Sequence, residues 1–436
     1  MARSAHLGER HVASLTLGTD TLILAFDTAD KVLGLVNDIV VPIASITSIA
    51  VTDDPFAAAK GIRAPGLAIP RLVRVGTWRS RGRKLLVAAR NNERAIVLGL
   101  HGEAYSGLVV GTDTAPELAV ELLAVAPNIE HLESDVTFAS GDVVLAGTYT
   151  QPAGPTVAQV LLLPGSGDIN RDADHRRFPL SASRHLAHAL AARGIASVRY
   201  DKRGVGRSSG SYLHTGFAEN HADASAALQW LRSSTPTAGL PTFLVGHSEG
   251  AMIAQLLAAD DDRLAGVILL ASPGTTGAEA MEWQTHQVAR ALPPVAGAII
   301  KLLRIDLAKQ QRKSVAKLRS TDTDTVRIQG RTINARWQRD LLDFDPATLL
   351  RRITAPVLAI TGGKDLQVNP DDLKIIAESV SGPVETQRPA DLTHLLRSDP
   401  KPASFASYKK LLKQDTDKQV VDTVGDWILA RSTTRV

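Results

Sequence analysis

The sequence predicts an α/β chain: a mostly parallel sheet with a helical lid insertion, preceded by a small β-rich N-terminal domain. Three observations predict it. From about residue 135, apolar runs of strand length alternate with amphipathic stretches of helix length; before about residue 110, short β-runs are broken by turns; and the segment 274–341 interrupts the alternation.

The N-terminal runs are "TLILAFD", "DIVVPIASITSIAV", "LVRVGTW", "KLLVAAR", "AIVLGL" and "SGLVVG", whose β-branched content favours a compact antiparallel domain. "APELAVELLAV" (115–125) has the apolar spacing of a closing helix, and "APNIEHLE" reads as a linker, so domains are expected over 1–128 and 129–436.

In the second domain, "VTFASGDVVLAGTYTQP" predicts a hairpin, "VAQVLLLPG" a buried strand, "LSASRHLAHALAARG" a helix, "IASVRYD" a strand and "FAENHADASAALQWLRS" a helix. "TFLVGHSEG" and its helix, "AGVILLASPG" and "APVLAITGGKD" continue the alternation. Near-continuous apolar strands argue for a sheet covered on both faces, in which ligands bind at the carboxyl ends of strands. The interrupting segment, with Met281, Trp283, Leu292, Val295, Ile299, Ile300 and Leu303, is expected to form a helical lid over those ends.

Composition narrows the chemistry. The 436 residues are 44% hydrophobic and 22% charged, as in an ordinary globular protein, and cysteine is absent, which excludes disulfides, thiolate metal sites and cysteine nucleophiles. The N-terminus has no continuous apolar segment of a secretory signal, and Lys301 and Arg304 interrupt the longest apolar stretch, so a cytoplasmic protein is expected. The net charge of +4 is unevenly placed: residues 60–94 hold ten Lys or Arg against Glu93 alone, and 301–319 hold seven against Asp306. A solvated surface accounts for such runs most simply; with 4% aromatics and no recognition motif, no nucleic-acid partner is expected. Docking of the basic N-terminal domain on a membrane surface or a protein partner stays open, as does oligomeric state.

Gly-x-Ser-x-Gly at 246–250 is weak alone, but here it follows an apolar strand and opens a helix, the context that presents a serine on a strained turn above a sheet. A serine hydroxyl needs a base, and such a turn orders the chain as serine, acid, histidine. Only His286, inside the lid, and His394 lie beyond Ser248, so His394 is the expected base. Asp365, in a glycine-rich loop after an apolar strand, is the expected acid; Asp371 and Asp372 are runners-up, and Asp343 and Asp345 precede the strand and fit less well. The backbone N–H groups of Glu249 and Ser166 are the expected oxyanion donors.

"LLLPGSGDINRD", "RYDKRGVGRSSG", "LVGHSEG", "APVLAITGGKD" and "DLTHLLR" together resemble, in order and approximate spacing, the α/β-hydrolases of the serine aminopeptidase S33-like esterase branch, over about residues 135–436. The resemblance implies a Ser248–Asp365–His394 triad acting on a small-molecule carboxylic ester. Asp201, Arg203 and Gly204 resemble the family's structural turn. Asn170, Arg171 and Asp172 match a polar run near the oxyanion loop, where Arg171 and Asp172 are candidate substrate contacts against a loop hydrogen-bond network. The N-terminal region more distantly resembles a PH-like β-domain.

The other histidines are dispersed, and His185 and His188 read as the polar face of a helix, so neither metal nor other cofactor is expected. His247 is expected to pack or hydrogen-bond within the turn. Amide or peptide hydrolysis, acyl transfer by the same triad, and an idle binding protein on the same fold are the alternatives.

Overall fold

The computed structural model describes residues 12–59, 61–80, 83–176, 178–233, 235–290, 306–328 and 330–432. Lid positions Leu292, Val295, Ile299, Ile300 and Leu303 lie outside them. The chain forms two compact units, one of residues 1–135 with 150–154, the other of 136–149 with 155–436. No helix among the described residues is long and apolar enough to cross a membrane.

The first unit is β-rich. Ala13–Leu17, Thr21–Phe26 and Ile39–Pro42 form an antiparallel sheet, and a second sheet runs in the order Ile46–Thr52, Ala95–Leu100, Gly107–Gly111, Arg83–Arg90, Val73–Ser80, Ile62–Ile69. One pairing departs from the antiparallel expectation. The hairpin of Ala95–Leu100 and Gly107–Gly111 lies with its second strand against Arg83–Arg90, which makes that pair parallel. Helix Ala115–Val125 buries Leu118, Ala119, Leu122 and Leu123, as its spacing predicts.

The second unit carries a parallel sheet in the order Val384–Gln387, Val357–Ile360, Gly266–Leu270, Thr242–His247, Ala158–Leu163, Ile195–Tyr200. Successive side chains of a strand point to opposite faces, and two cores follow from that. Leu161, Leu163, Leu244, Val267 and Leu269 pack with Leu228, Ala254 and Leu257 of helices Phe217–Ser233 and Glu249–Asp260. Val160, Leu162, Phe243, Val245, Ile268 and Leu270 pack with Leu186, Leu190, Val424 and Ile428 of helices Ala182–Ala191 and Lys418–Ser432.

Strand order reverses at Ala158–Leu163. The chain leaves it for Ile195–Tyr200 on one side and returns to Thr242–His247 on the other. Such a reversal parts the loops that follow the two strands and opens a crevice at their carboxyl ends. Here those loops carry Ser166 and Ser248.

The insertion departs from this plan. Besides helices Gly277–Arg290, Leu307–Arg319 and Ala335–Asp343, it contains a β-hairpin, Thr325–Ile328 with Arg331–Asn334, where only helices are expected. Its two ends meet: the Gly277 amide donates to the Phe344 carbonyl at 2.9 Å.

Candidate active site

Ser248 joins strand Thr242–His247 to helix Glu249–Asp260 with φ 56° and ψ −118°. A non-glycine residue held there costs on the order of 1–3 kcal/mol. Its neighbours over-determine the turn: the Ser248 amide donates to the Leu270 carbonyl on the next strand at 2.9 Å, and the Ser248 carbonyl accepts from the Ala251 amide at 2.9 Å. Neither flanking glycine can be enlarged. A Cβ on Gly250 would strike the Leu163 carbonyl oxygen, and one on Gly246 the Gly250 carbonyl oxygen.

His394 and Asp365 come together as expected. His394 Nδ1 lies 2.8 Å from Asp365 Oδ2, with 6% and 0% of the two side chains exposed. Asp365 Oδ1 accepts from the amides of Gln367 and Val368 at 2.7 and 2.9 Å. A carboxylate can only accept, so Nδ1 carries the proton, and Nε2 is left to bind one. The runner-up acids are engaged elsewhere: Asp372 Oδ2 accepts from the Gly274 amide and Thr275 Oγ1, and Asp371 pairs with Arg388 at 2.7 Å. Asp343 pairs with Arg319, and Asp345 caps helix Pro346–Leu350. His286 is exposed on its helix.

His247 donates through Nε2 to the carbonyl oxygen of His394 at 2.9 Å, and the two rings are 4.9 Å apart. Burial, reinforced by the neighbouring His394, pushes its pKa down to about 3, which keeps it neutral.

Ser248 opens into a cavity of about 100 Å³ with Ser166, Glu249, Met252, Pro273, Met281, Leu341 and Val368 among its walls. Most of that lining is apolar. Met281 and Leu341 come from the insertion, so part of its apolar content does face the serine. As the first residue of the elbow helix, Glu249 has an amide with no intrahelical acceptor, suited to an anionic oxygen.

The Glu249 side chain turns the other way. Its Oε2 accepts from Lys202 Nζ at 3.0 Å and its Oε1 from Asn220 Nδ2 at 2.9 Å, with 7% of the Lys202 and 2% of the Glu249 side chain exposed. Sequence reasoning passes over Lys202, although it sits inside the singled-out run "YDKRGVG"; a lysine there carries no mark of burial.

Two candidate substrate contacts are not brought to the serine. Arg171 donates to the Gly147 carbonyl, to Thr148 Oγ1 and, at 2.7 Å, to Asp201 Oδ2, while Asp172 accepts from Arg184 and Arg199. Asn170 Oδ1 accepts from the amides of Asp172 and Asp174. Ion pairing and backbone bonding turn this run into the framework of the loop, and Arg171 and Asp172 are absent from the walls of the serine cavity. Asp201 joins that framework, and Arg203 makes a partly buried ion pair with Asp223 at 2.8 Å.

A parallel sheet whose strand order reverses at Ala158–Leu163, with a serine on a strained turn beside the reversal, defines an α/β-hydrolase. Residues 180–401, just over half of the chain, match the family described as serine aminopeptidase, S33, and the chain belongs to it. It is 29% identical over 289 residues to esterase EstD of Thermotoga maritima, covering 65% of each chain. It is 35% identical over 126 residues to the monoglyceride lipase homolog of Monkeypox virus, covering 29% of this chain and 41% of that one. The matches thus span less than two thirds of either curated relative. Among solved structures, Est1E from Butyrivibrio proteoclasticus with bound ferulic acid superposes with a TM-score of 0.46 at 16% identity, covering 68% of this chain and 98% of that one.

Proposed function

We propose that this protein is a serine hydrolase that cleaves carboxylic esters through Ser248, His394 and Asp365. The observation that carries the reading is the 2.8 Å contact from His394 Nδ1 to a carboxylate itself held by two amides. It orients the ring so that Nε2 takes the Ser248 proton as Oγ attacks the ester carbonyl. The amides of Glu249 and Ser166 receive the developing negative oxygen, each worth about 3 kcal/mol in the transition state. The imidazolium then protonates the departing alcohol, and water, activated by the same ring, releases the acid from Ser248.

An ester is favoured over a peptide by the cavity walls. An aminopeptidase must neutralise a substrate ammonium, and the one carboxylate among the described residues lining the serine cavity, Glu249, already pairs with Lys202.

Fluorophosphonate labelling of the purified protein tests this. We expect rapid labelling of the wild type, none of Ser248→Ala and greatly slowed labelling of His394→Ala. A folded wild type that resists the probe and cleaves no ester refutes the reading.

For the N-terminal unit we infer docking on an anionic membrane surface. Val32, Leu33 and Leu35 are 66%, 56% and 67% exposed, and Arg63, Arg71, Arg79 and Arg83 also face solvent. The full chain should sediment with phosphatidylserine vesicles and be released by salt; absence of salt-sensitive binding overturns it.

A further inference from the structure

A second cavity in the same unit, of about 610 Å³, has Asp168, Ser211, Tyr212, Thr332, Asn334 and Gln338 among its walls. It adjoins the serine cavity in two places. Trp337 lines both, and the loop that contributes Ser166 to the one contributes Asp168 to the other. The two cavities are therefore neighbours across Trp337 and the loop of Ser166 and Asp168, the loop proposed to hold the oxyanion.

Their linings differ in kind. The smaller is mainly apolar, through Met252, Pro273, Met281, Leu341 and Val368, with Gln284 and Gln367 among its polar walls; the larger sets Asp168, Ser211, Thr332, Asn334 and Gln338 beside Leu213, Ile333 and Trp337. Part of the larger one is a fixed frame. Asn334 donates to the Tyr212 and Thr215 carbonyls, both at 2.7 Å, and accepts from the Trp337 amide at 2.9 Å. Gly204, at φ 69°, packs so closely beneath that a Cβ would lie 2.6 Å from the Tyr212 amide nitrogen. On this frame the side chains of Ser211, Thr332 and Gln338 make no hydrogen bond to the described residues, and Asp168 faces solvent with His175 3.4 Å away. Polar side chains so arrayed can hydrogen-bond a bound hydroxyl-rich group.

We propose that this cavity binds the leaving alcohol and that the alcohol is a polyol, so that the substrate is a short-chain acyl ester of a polyhydroxylated compound. The proposal rests on the ester-hydrolase reading. The acyl group enters the small apolar cavity, and the hydroxyls meet Asp168, Ser211, Thr332 and Gln338. A site that hydrogen-bonds substrate hydroxyls discriminates against an analogue lacking them, because its own polar groups would be covered without partners.

The test compares kcat/KM for three butyrate esters, of ethanol, of a monosaccharide and of choline, in the wild type and in Gln338→Leu and Thr332→Val. The wild type should favour the sugar ester over the ethyl ester by about tenfold or more, and each variant should lower that ratio severalfold, chiefly through KM, with Tm confirming the fold. A wild-type ratio near one, a ratio unmoved by both variants, or a stronger preference for the choline ester overturns the proposal. Cleavage of the ethyl ester with no sugar preference removes the polyol site alone; cleavage of none of the three removes the ester-hydrolase reading with it.

Discussion

The ring of His247 donates to the main-chain carbonyl of His394 at 2.9 Å, so the residue before the nucleophile fixes the backbone of the proposed base. The tautomer follows from the bond: a carbonyl cannot donate, so Nε2 carries the proton.

The burial of that ring, against which the bond works only in part, sets a pH dependence of stability. An unfolded histidine takes up a proton below about pH 6.5, whereas His247 in the fold resists until about pH 3. Between those values the unfolded chain binds more protons, so the stabilisation is whole above the upper value and declines on acidification by up to about 1.4 kcal/mol per pH unit. His247→Gln keeps an N–H donor without titrating; its urea-unfolding free energy should fall less steeply than wild type over this window.

Asp365→Asn should reduce kcat by on the order of 10⁴ while changing Tm little. The carboxylate accepts at both oxygens, from His394 and from two amides, and an asparagine supplies one acceptor oxygen. With that oxygen kept on the two amides, the NH2 faces the ring and donates to Nδ1, which puts the ring proton on Nε2 and leaves no base for the serine. Steady-state kinetics on an activated ester, with thermal unfolding alongside, checks this.

Lys202→Met should destabilise the fold by about 3–5 kcal/mol, because it leaves the Glu249 carboxylate buried without its cation. The double variant Lys202→Met/Glu249→Leu removes both charges and should recover much of the loss. Urea denaturation of the wild type, both single variants and the double variant measures the coupling.

Gly250→Ala should cost about 3 kcal/mol or more and abolish fluorophosphonate labelling. The added methyl meets backbone, the Leu163 carbonyl, which cannot yield without moving the loop that carries Ser166. Thermal unfolding and labelling, run side by side, test the two effects separately.

The parallel strands were legible wherever they are buried on both faces, since Ala158–Leu163, Gly266–Leu270 and Val357–Ile360 must then be apolar nearly throughout. Val384–Gln387 pairs on one side only, exposes Glu385 and Thr386, and carries no such signal. The insertion hairpin is short and polar, and its turn glycine, Gly330 at φ 79°, sits among charged residues that read equally as helix surface. At the site, chain order and loop context lead to Ser248, Asp365 and His394. They do not lead to Lys202, because pairing across 47 positions depends on a sheet register no local pattern encodes. Nor do they show that Arg171 and Asp172 turn inward, because a charged run looks the same whether it meets a substrate or its own loop.

The closure of the insertion on itself, through Gly277 and Phe344, gives the chain a seam. Everything between these residues leaves and returns at nearly one point, and among the described residues hydrogen bonds of Asn334, Arg336 and Asp340 tie it to residues 212–219 and not to the strands on either side. Such an excursion can be lengthened, shortened or exchanged for another of different shape while the serine, the histidine and the carboxylate stay where they are. Substrate choice and bond chemistry are thereby written in separable stretches of sequence, and a graft across this seam is the natural unit for redesigning one without the other.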